Sequence, residues 1–295
     1  SLVMEKIDAL VDTVTLFLKR EPFSISWLEK DGEFLNLVNS LTEHHLEKCQ
    51  LYRNIVRPLF PAVENPKSLY DVPFIPVRLF KSIELKSVGN SEVFRTMTSS
   101  GTTGDSVSQI SLDKETSQVQ TRALSQIMSS VIGKTRMPML ILDSTAVIKD
   151  RAMFSARGAG IRGFSMFGKD VEYALDESME LRIQEIRDFL NRHDGERILL
   201  FGFTFMIWQH VCEELRIANL SLPIHNGVLF HGGGWKKLAS QNIKNDSFKE
   251  LIKSTLGIKS VINYYGMVEQ TGSIFIECEY GYLHSPSYSE VIVRN

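Results

Sequence analysis

Apolar residues recur at helical spacing from the start of the chain: Leu2, Val3, Ile7, Leu10, Val11, Val14 and Phe17 fall on one face. A second helical run, from about Phe34 to Leu59, puts Leu37, Val38, Leu41, Leu51 and Ile55 on one side, with Pro58 and Pro61 expected to stop it. NPKSLYDVPFIPVRLFKS reads as an extended, proline-punctuated connection. The period then drops from 3.6 to 2. Val93, Arg95 and Met97 alternate with Phe94, Thr96 and Thr98, and SVSQISLD alternates again with Ile110 and Leu112 on one face. The intervening SSGTTGDS, Ser99 to Ser106, is therefore expected to be a loop between two strands.

Beyond it, Asp113 is placed to cap a helix whose Val119, Ala123, Ile127 and Val131 share a face. MPMLILD is apolar enough for a strand buried on both sides. The glycine-rich ARGAGIRGFSMFGKD reads as loop, and Asp176 as the start of a helix ending near Gly195. RILLFGF is a strand, Thr204 a candidate N-cap for the helix TFMIWQHVCEELR, and GVLFHGGG a strand running into a glycine loop. Ser247 and Glu250 have capping-box spacing before a helix closed by Gly257, SVINYY is one more strand, and the terminal SEVIVRN is strand-like. From about residue 136 strands and helices alternate, which predicts an α/β fold with a mostly parallel sheet flanked by helices and ligands at the carboxyl ends of its strands. Residues 1–80 are expected to be a helical N-terminal region packed on the main body, and 81–295 an α/β nucleotide-binding core.

With 295 residues, 43% hydrophobic content and a net charge of −2, the composition is that of an ordinary globular chain and gives no electrostatic case for nucleic acid or a membrane as main partner. No stretch approaches the roughly 18–20 apolar residues of a membrane span. The three cysteines Cys49, Cys212 and Cys278 are far apart and lack metal or redox spacing, so a reduced, cytoplasmic setting is expected.

Three motifs can carry chemistry. In SSGTTGDS, small residues let backbone N–H groups approach phosphate oxygens and hydroxyls add donors, although no Gly-Lys-Ser/Thr follows and a strand takes the place of a helix. A polar hairpin loop is the competing reading. HGGGWKK, His231 to Lys237, permits a flat ligand to lie on bare backbone, or is a tight strand-to-helix turn. NYYGMVEQTG, Asn263 to Gly272, offers an aromatic for stacking on a base and a carboxylate, Glu269, for Mg²⁺, or is a surface turn. Phe203, Phe205 and Trp208 either line an acyl channel or are core.

Taken in order, the motifs resemble those of acyl-adenylate-forming enzymes: SSGTTGDS their Ser/Thr/Gly-rich phosphate loop, YYGMVEQ their Tyr-Gly-x-x-Glu motif, and HGGGWKK their adenine-facing glycine loop. The words RTMTSSGTTG, LFGFTFMIW, LFHGGGWKKL and YYGMVEQTG are similar to the LuxE-type acyl-protein synthetases in particular. The resemblance implies ATP-dependent activation of a fatty or other carboxylic acid to an acyl-adenylate, transfer to a protein thiol, and supply of a partner reductase. It implies that Ser99, Ser100, Gly101, Thr102, Thr103 and Gly104 contact the triphosphate, with Thr102 and Glu269 catalytic. Gly232, Gly233 and Gly234, with His231 before them, would frame adenine; Tyr265, Gly266 and Met267 would lie along the nucleotide; Glu269 would hold Mg²⁺.

Two positions depart from the family pattern: Asp105-Ser106 stand where it has Pro-Lys, and Val268 where it has Thr. The family's ribose-binding Asp, hinge, C-terminal lid and acceptor cysteine are expected to fall after Asn295, so this chain by itself is expected to bind nucleotide weakly and catalyse poorly. A phenylacetate-type acyl-CoA ligase and a non-catalytic nucleotide-binding or scaffolding module are the alternatives.

Overall fold

The computed structural model describes residues 2–61, 66–99, 106–149 and 156–294. They divide into two compact units. The first comprises residues 1–133, 266–275 and 284–295; the second comprises 134–265 and 276–283.

The first unit opens with α1 (Leu2–Phe17), α2 (Trp27–Lys48) and α3 (Gln50–Leu59). The expected single helix over 34–59 is two helices, because Cys49 adopts an extended conformation (φ −115°, ψ 100°). Arg53 compensates for the break by donating to the freed carbonyl of Leu46 at 3.1 Å. The strands β1 (Arg95–Thr98) and β2 (Gln109–Leu112) pair antiparallel with Thr98 opposite Gln109, as the alternation predicts. Then α4 (Lys114–Ile132) starts at Asp113, whose Oδ1 accepts from the Thr116 amide at 2.7 Å. The last described residues return to the start of the chain. Lys30, buried, donates to Pro286 O at 3.0 Å and Ser289 O at 2.8 Å and pairs with Glu290 at 3.4 Å. Tyr288 donates to the carbonyl of Arg20 at 2.9 Å. No strand forms over 289–294, the segment that looked strand-like.

The second unit is built on β3 (Met137–Ser144), followed by α5 (Ala146–Lys149), α6 (Ala156–Ser165), β4 (Gly168–Leu175), α7 (Ile183–Arg192) and β5 (Ile198–Phe203). Helix α8 (Thr204–Ile207) runs through a π-turn at Trp208–Cys212 into α9 (Glu213–Ile217). β6 (Gly227–Gly232), α10 (Trp235–Ala239), α11 (Asn245–Leu256) and β7 (Ser260–Tyr265) complete the alternation. The sheet order is β4-β3-β5-β6-β7, parallel throughout, extended by β8 (Phe275–Glu277) and β9 (Leu283–His284). All eight residues of β3 are buried, as its apolar run predicts. The chain leaves β3 for β4 on one side and then crosses to β5 on the other. That reversal places the switch-point crevice outside the carboxyl ends of β3 and β5. One face of the sheet carries Leu140, Leu142, Leu200 and Leu229 against α7, α8 and α11; on the other, Phe201 stacks on Phe164 of α6 at 4.2 Å.

Four local expectations are corrected. ARGAGIRGFSMFGKD is a helix and a strand start, because its glycines serve close packing: a β-carbon on Gly160 would lie 2.9 Å from the Phe203 ring, and one on Gly168 would lie 2.6 Å from the Met139 side chain. Asp176 closes a turn by accepting from the Ser178 and Glu180 amides at 2.8 and 2.9 Å, so the helix begins later, at Ile183. Phe203, not Thr204, is the N-cap of α8, since the Thr204 hydroxyl is taken by another partner. Helix α11 begins at Asn245, ahead of the proposed capping box.

Strand β4, helix α7 and the turn before β5 meet at an ion cluster. His193 Nε2 lies 2.6 Å from Asp170 Oδ2 and its Nδ1 2.8 Å from Glu196 Oε1. Burial pulls the imidazole down, but hydrogen bonds to Glu196 and Asp170 outweigh it and raise His193 above the usual histidine range. A raised folded-state value stabilises in full below about pH 6.5 and is lost as pH rises through that raised value. His193→Asn is therefore expected to lower the unfolding free energy by up to about 1 kcal/mol more at pH 5.5 than at pH 8.5. Urea denaturation at the two pH values measures the difference, and an equal loss at both would contradict the assignment.

Candidate functional site

The site is best built from the carboxyl ends of β5 and β6, which run parallel with Phe203 beside Gly232. After β6 the chain passes through Gly233 (φ +73°) and Gly234 (φ +76°), left-handed conformations that favour glycine, before α10 begins. The loop is packed tightly against the turn after β5. A β-carbon on Gly233 would lie 2.9 Å from the Phe203 ring, and one on Gly234 would lie 2.9 Å from Phe205 Cβ.

His231 has no exposed surface. Its Nδ1 is 2.9 Å from Thr204 Oγ1, and its ring faces Phe248 and Trp235 at centroid distances of 4.4 and 6.0 Å. Burial, aided by the charge of Lys249, pushes the imidazole down to about 3, so it is neutral at physiological pH.

On the other side of β6, His231 pairs with Asn263 of β7, which brings Gly232 beside Tyr264. A β-carbon on Gly232 would lie 2.6 Å from the Tyr264 carbonyl oxygen and 3.0 Å from its ring. Tyr264 is held between Phe164 and Phe201 at 5.1 and 6.2 Å, and burial pushes its phenol well up. Tyr265, the next residue, is 46% exposed. The fold thus brings Gly232, Gly233, Gly234, Tyr264 and Tyr265 to one end of the sheet. Phe203 and Phe205 abut the same loop.

Tyr265 closes the second unit, and Gly266 begins the segment that belongs to the first. There Met267 leads into a single 3₁₀ turn, Val268–Gln270, that carries Glu269. Glu269 is half-buried, and its carboxylate has no hydrogen-bond or ion-pair partner among the described residues. Gly272 (φ +86°) follows, and a β-carbon there would lie 2.5 Å from the Gln120 carbonyl of α4. Gln120 also reaches Met97 of β1, its Nε2 3.1 Å from the sulfur. One residue of α4 therefore touches both the strand that leads to Ser99 and the segment that carries Glu269.

Ser99 closes the neck of the β1–β2 hairpin. Its amide donates to Ser108 O at 3.1 Å and its hydroxyl oxygen accepts from the Ser108 amide at 2.9 Å, and the Ser99 O–H donates to no group among the described residues. Ser100, Gly101, Thr102, Thr103 and Gly104 lie outside the described residues. No group of three or more His, Cys, Asp or Glu able to hold a metal occurs among the described residues. A Mg²⁺ site here would have the form of one carboxylate with phosphate and water ligands, a set that fits that ion and a Glu269 without a partner among the described residues.

The sequence reading missed Asp143, at the carboxyl end of β3 and fully buried. Arg157 of α6 grips it with Nε on Oδ2 at 3.0 Å and Nη2 on Oδ1 at 2.7 Å. The signal was an acid terminating an otherwise apolar strand. Glu277, also buried, is equally occupied: its Oε1 accepts from Lys249 at 2.9 Å and its Oε2 from the Asn263 amide at 2.9 Å. A cleft of about 450 Å³ lined by Arg187, His193, Glu196, Leu222 and His225 lies at the opposite, amino ends of β5 and β6.

Residues 3–295 match the family model described as acyl-protein synthetase, LuxE. No curated protein matches the chain. Two similar solved structures are of 2-hydroxyisobutyryl-CoA ligase. The open conformation with 2-HIB-AMP and CoA gives a TM-score of 0.58 at 16% identity, covering 84% of this chain and 56% of that one. The thioesterification state with the same molecules gives 0.61 at 17%, covering 88% and 54%. At this identity the likeness establishes the fold alone, an α/β architecture shared with those structures. The chain spans about half the length of the structures it matches. No helix among the described residues is long and apolar enough to cross a membrane.

The packing around the loop has a direct consequence. Gly232→Ala is expected to destabilise the fold by roughly 2–3 kcal/mol, because a backbone carbonyl cannot retreat from the new methyl group. Gly163→Ala, in α6 with nothing within 4 Å of its β-carbon, is expected to stabilise by about 0.5 kcal/mol. Chemical denaturation of both variants tests the contrast, and equal midpoints would refute it.

Proposed function

The chain belongs to the LuxE acyl-protein synthetase family, and from that premise we propose that it activates a fatty acid with ATP, forming an acyl-adenylate whose acyl group passes to a thiol. The observation that carries the reading is the meeting of Gly232–Gly234 with Tyr264 and Tyr265 at the carboxyl ends of adjacent parallel strands. Ligands of open α/β sheets lie outside the carboxyl ends of the strands, the end at which these residues meet, and the switch point between β3 and β5 opens on the same side. In this reading the bare backbone of Gly232, Gly233 and Gly234 accepts the flat face or edge of adenine, with Tyr265, Gly266 and Met267 along the nucleotide. Ser99 to Gly104, including Thr102, supply N–H and O–H donors to the triphosphate. His231 makes no contact with the ligand, since its ring is in the core.

The substrate carboxylate attacks the α-phosphorus. A new P–O bond forms, the bond to the β-phosphate oxygen breaks, and pyrophosphate leaves. Ser99 O–H and the loop donors stabilise negative charge that grows on the phosphate oxygens, a role worth several kcal/mol in related chemistry. Glu269 is the residue that would hold Mg²⁺, and the chemistry such an ion would supply is neutralisation of charge on the departing pyrophosphate. A thiolate then attacks the acyl carbon, forming the thioester and releasing AMP.

Neither Cys49 nor Cys212 suits the acceptor role. Both are buried, and burial pushes the Cys212 thiol up to about 12, where it stays protonated. The acceptor is therefore a thiol other than these two, and a reductase partner in the cytoplasm would receive the acyl group from it. Coenzyme A is the second reading, favoured by the CoA held in the structures of 2-hydroxyisobutyryl-CoA ligase. Retention of a labelled acyl chain on protein, against its release as acyl-CoA, separates the two.

ATP–pyrophosphate exchange should depend on added fatty acid, and Glu269→Gln should lower kcat/KM on the order of a hundredfold. Exchange that stays flat with every fatty acid, or that is indifferent to Glu269→Gln, would count against the function and the role of Glu269 respectively.

A further inference from the structure

The carboxyl ends of β5 and β6 and the turns that follow them touch at three points. Phe203 meets Gly233, Thr204 meets His231, and Phe205 meets Gly234. The outer two contacts are steric and stop the turns from approaching further. Their resistance to separation is the non-directional attraction of packed surfaces, which fixes no particular distance or orientation. The middle contact is directional: Thr204 Oγ1 and His231 Nδ1 are 2.9 Å apart, and both residues have no exposed surface. It is also the one side-chain hydrogen bond His231 makes among the described residues, its Nε2 being buried without a partner there. Phe248 and Trp235 hold the ring in place.

We propose that Thr204 and His231 are a positioning pair. Their hydrogen bond sets how far the backbone of Gly233–Gly234, beyond the last ladder pair of Phe203 with Gly232, can lift from the turn after β5, and so fixes the surface against which a nucleotide is bound. Neither residue touches the ligand. The inference rests on the reading that this loop borders the nucleotide. The neutral imidazole suits the task, because a ring that does not titrate near physiological pH keeps one tautomer and one partner.

The test uses the full chain with Thr204→Val, which removes the hydroxyl and keeps the shape, and Thr204→Ser, which keeps the hydroxyl. Thr204→Ala replaces the valine variant should that fail to fold. Loss of the bond is expected to raise the KM for ATP about tenfold in pyrophosphate exchange, with kcat within about twofold. Hydrogen–deuterium exchange of the amides of 232–238 is expected to quicken about tenfold while those of β3 stay unchanged. Thr204→Ser should bring both back to within about twofold of the parent. Unchanged loop exchange in the hydroxyl-free variant, or quickening spread equally to β3, overturns the pair. If the parent itself exchanges no pyrophosphate with any acid, the nucleotide reading fails. The hydrogen-exchange comparison then decides on the brace alone.

Discussion

Between the turn after β5 and the loop after β6 there is room for backbone and none for a β-carbon. Three consecutive glycines are what allow the two parallel strands to finish side by side with Phe203, Phe205 and Tyr264 folded over their ends. Close approach of this kind is a packing constraint first. The same absence of side chains leaves N–H and C=O groups at the rim of the sheet, so one feature meets a steric requirement and provides a binding surface. The functional reading depends on that double use, because a loop with side chains could neither pack this way nor offer bare backbone to a ligand.

The buried acids give a second kind of discrimination. Asp143 is held by the fork of Arg157, and Glu277 by Lys249 and the Asn263 amide. Both are fully employed in tying strands to helices, where a lone carboxylate would be costly. Glu269 differs in being half-buried and without a partner among the described residues. A carboxylate with spare lone pairs in a partly dry setting is suited to a cation from outside the chain.

Much of this was legible in the residue pattern. The period-2 runs placed β1 and β2 around the hydroxyl-rich loop, and the unbroken apolar run of β3 announced a strand covered on both faces. The ordered motifs marked the family and the strand ends. What escaped was set by tertiary contact. The glycines of α6 looked like loop because composition does not reveal a ring from β5 waiting 2.9 Å away from Gly160. Thr204 looked like a cap because nothing local signals that its hydroxyl belongs to a histidine 27 positions later. Asp143 and Arg157 are brought together by a strand and a helix whose approach no periodicity encodes. The loop residues 100–104 were singled out from the sequence, and only Ser99 at their neck is placed within the described residues.

The threading of the chain between its two units also matters for how the molecule is made. Helices α1 and α2 emerge from the ribosome early, yet the partners of Lys30 and of the Arg20 carbonyl are Pro286, Tyr288, Ser289 and Glu290. Glu290, the ion-pair partner of Lys30 among the described residues, is synthesised long after it. The first unit therefore has to wait in an unfinished state while the parallel sheet assembles, and nascent chains are at their most vulnerable to chaperone capture or proteolysis during that interval.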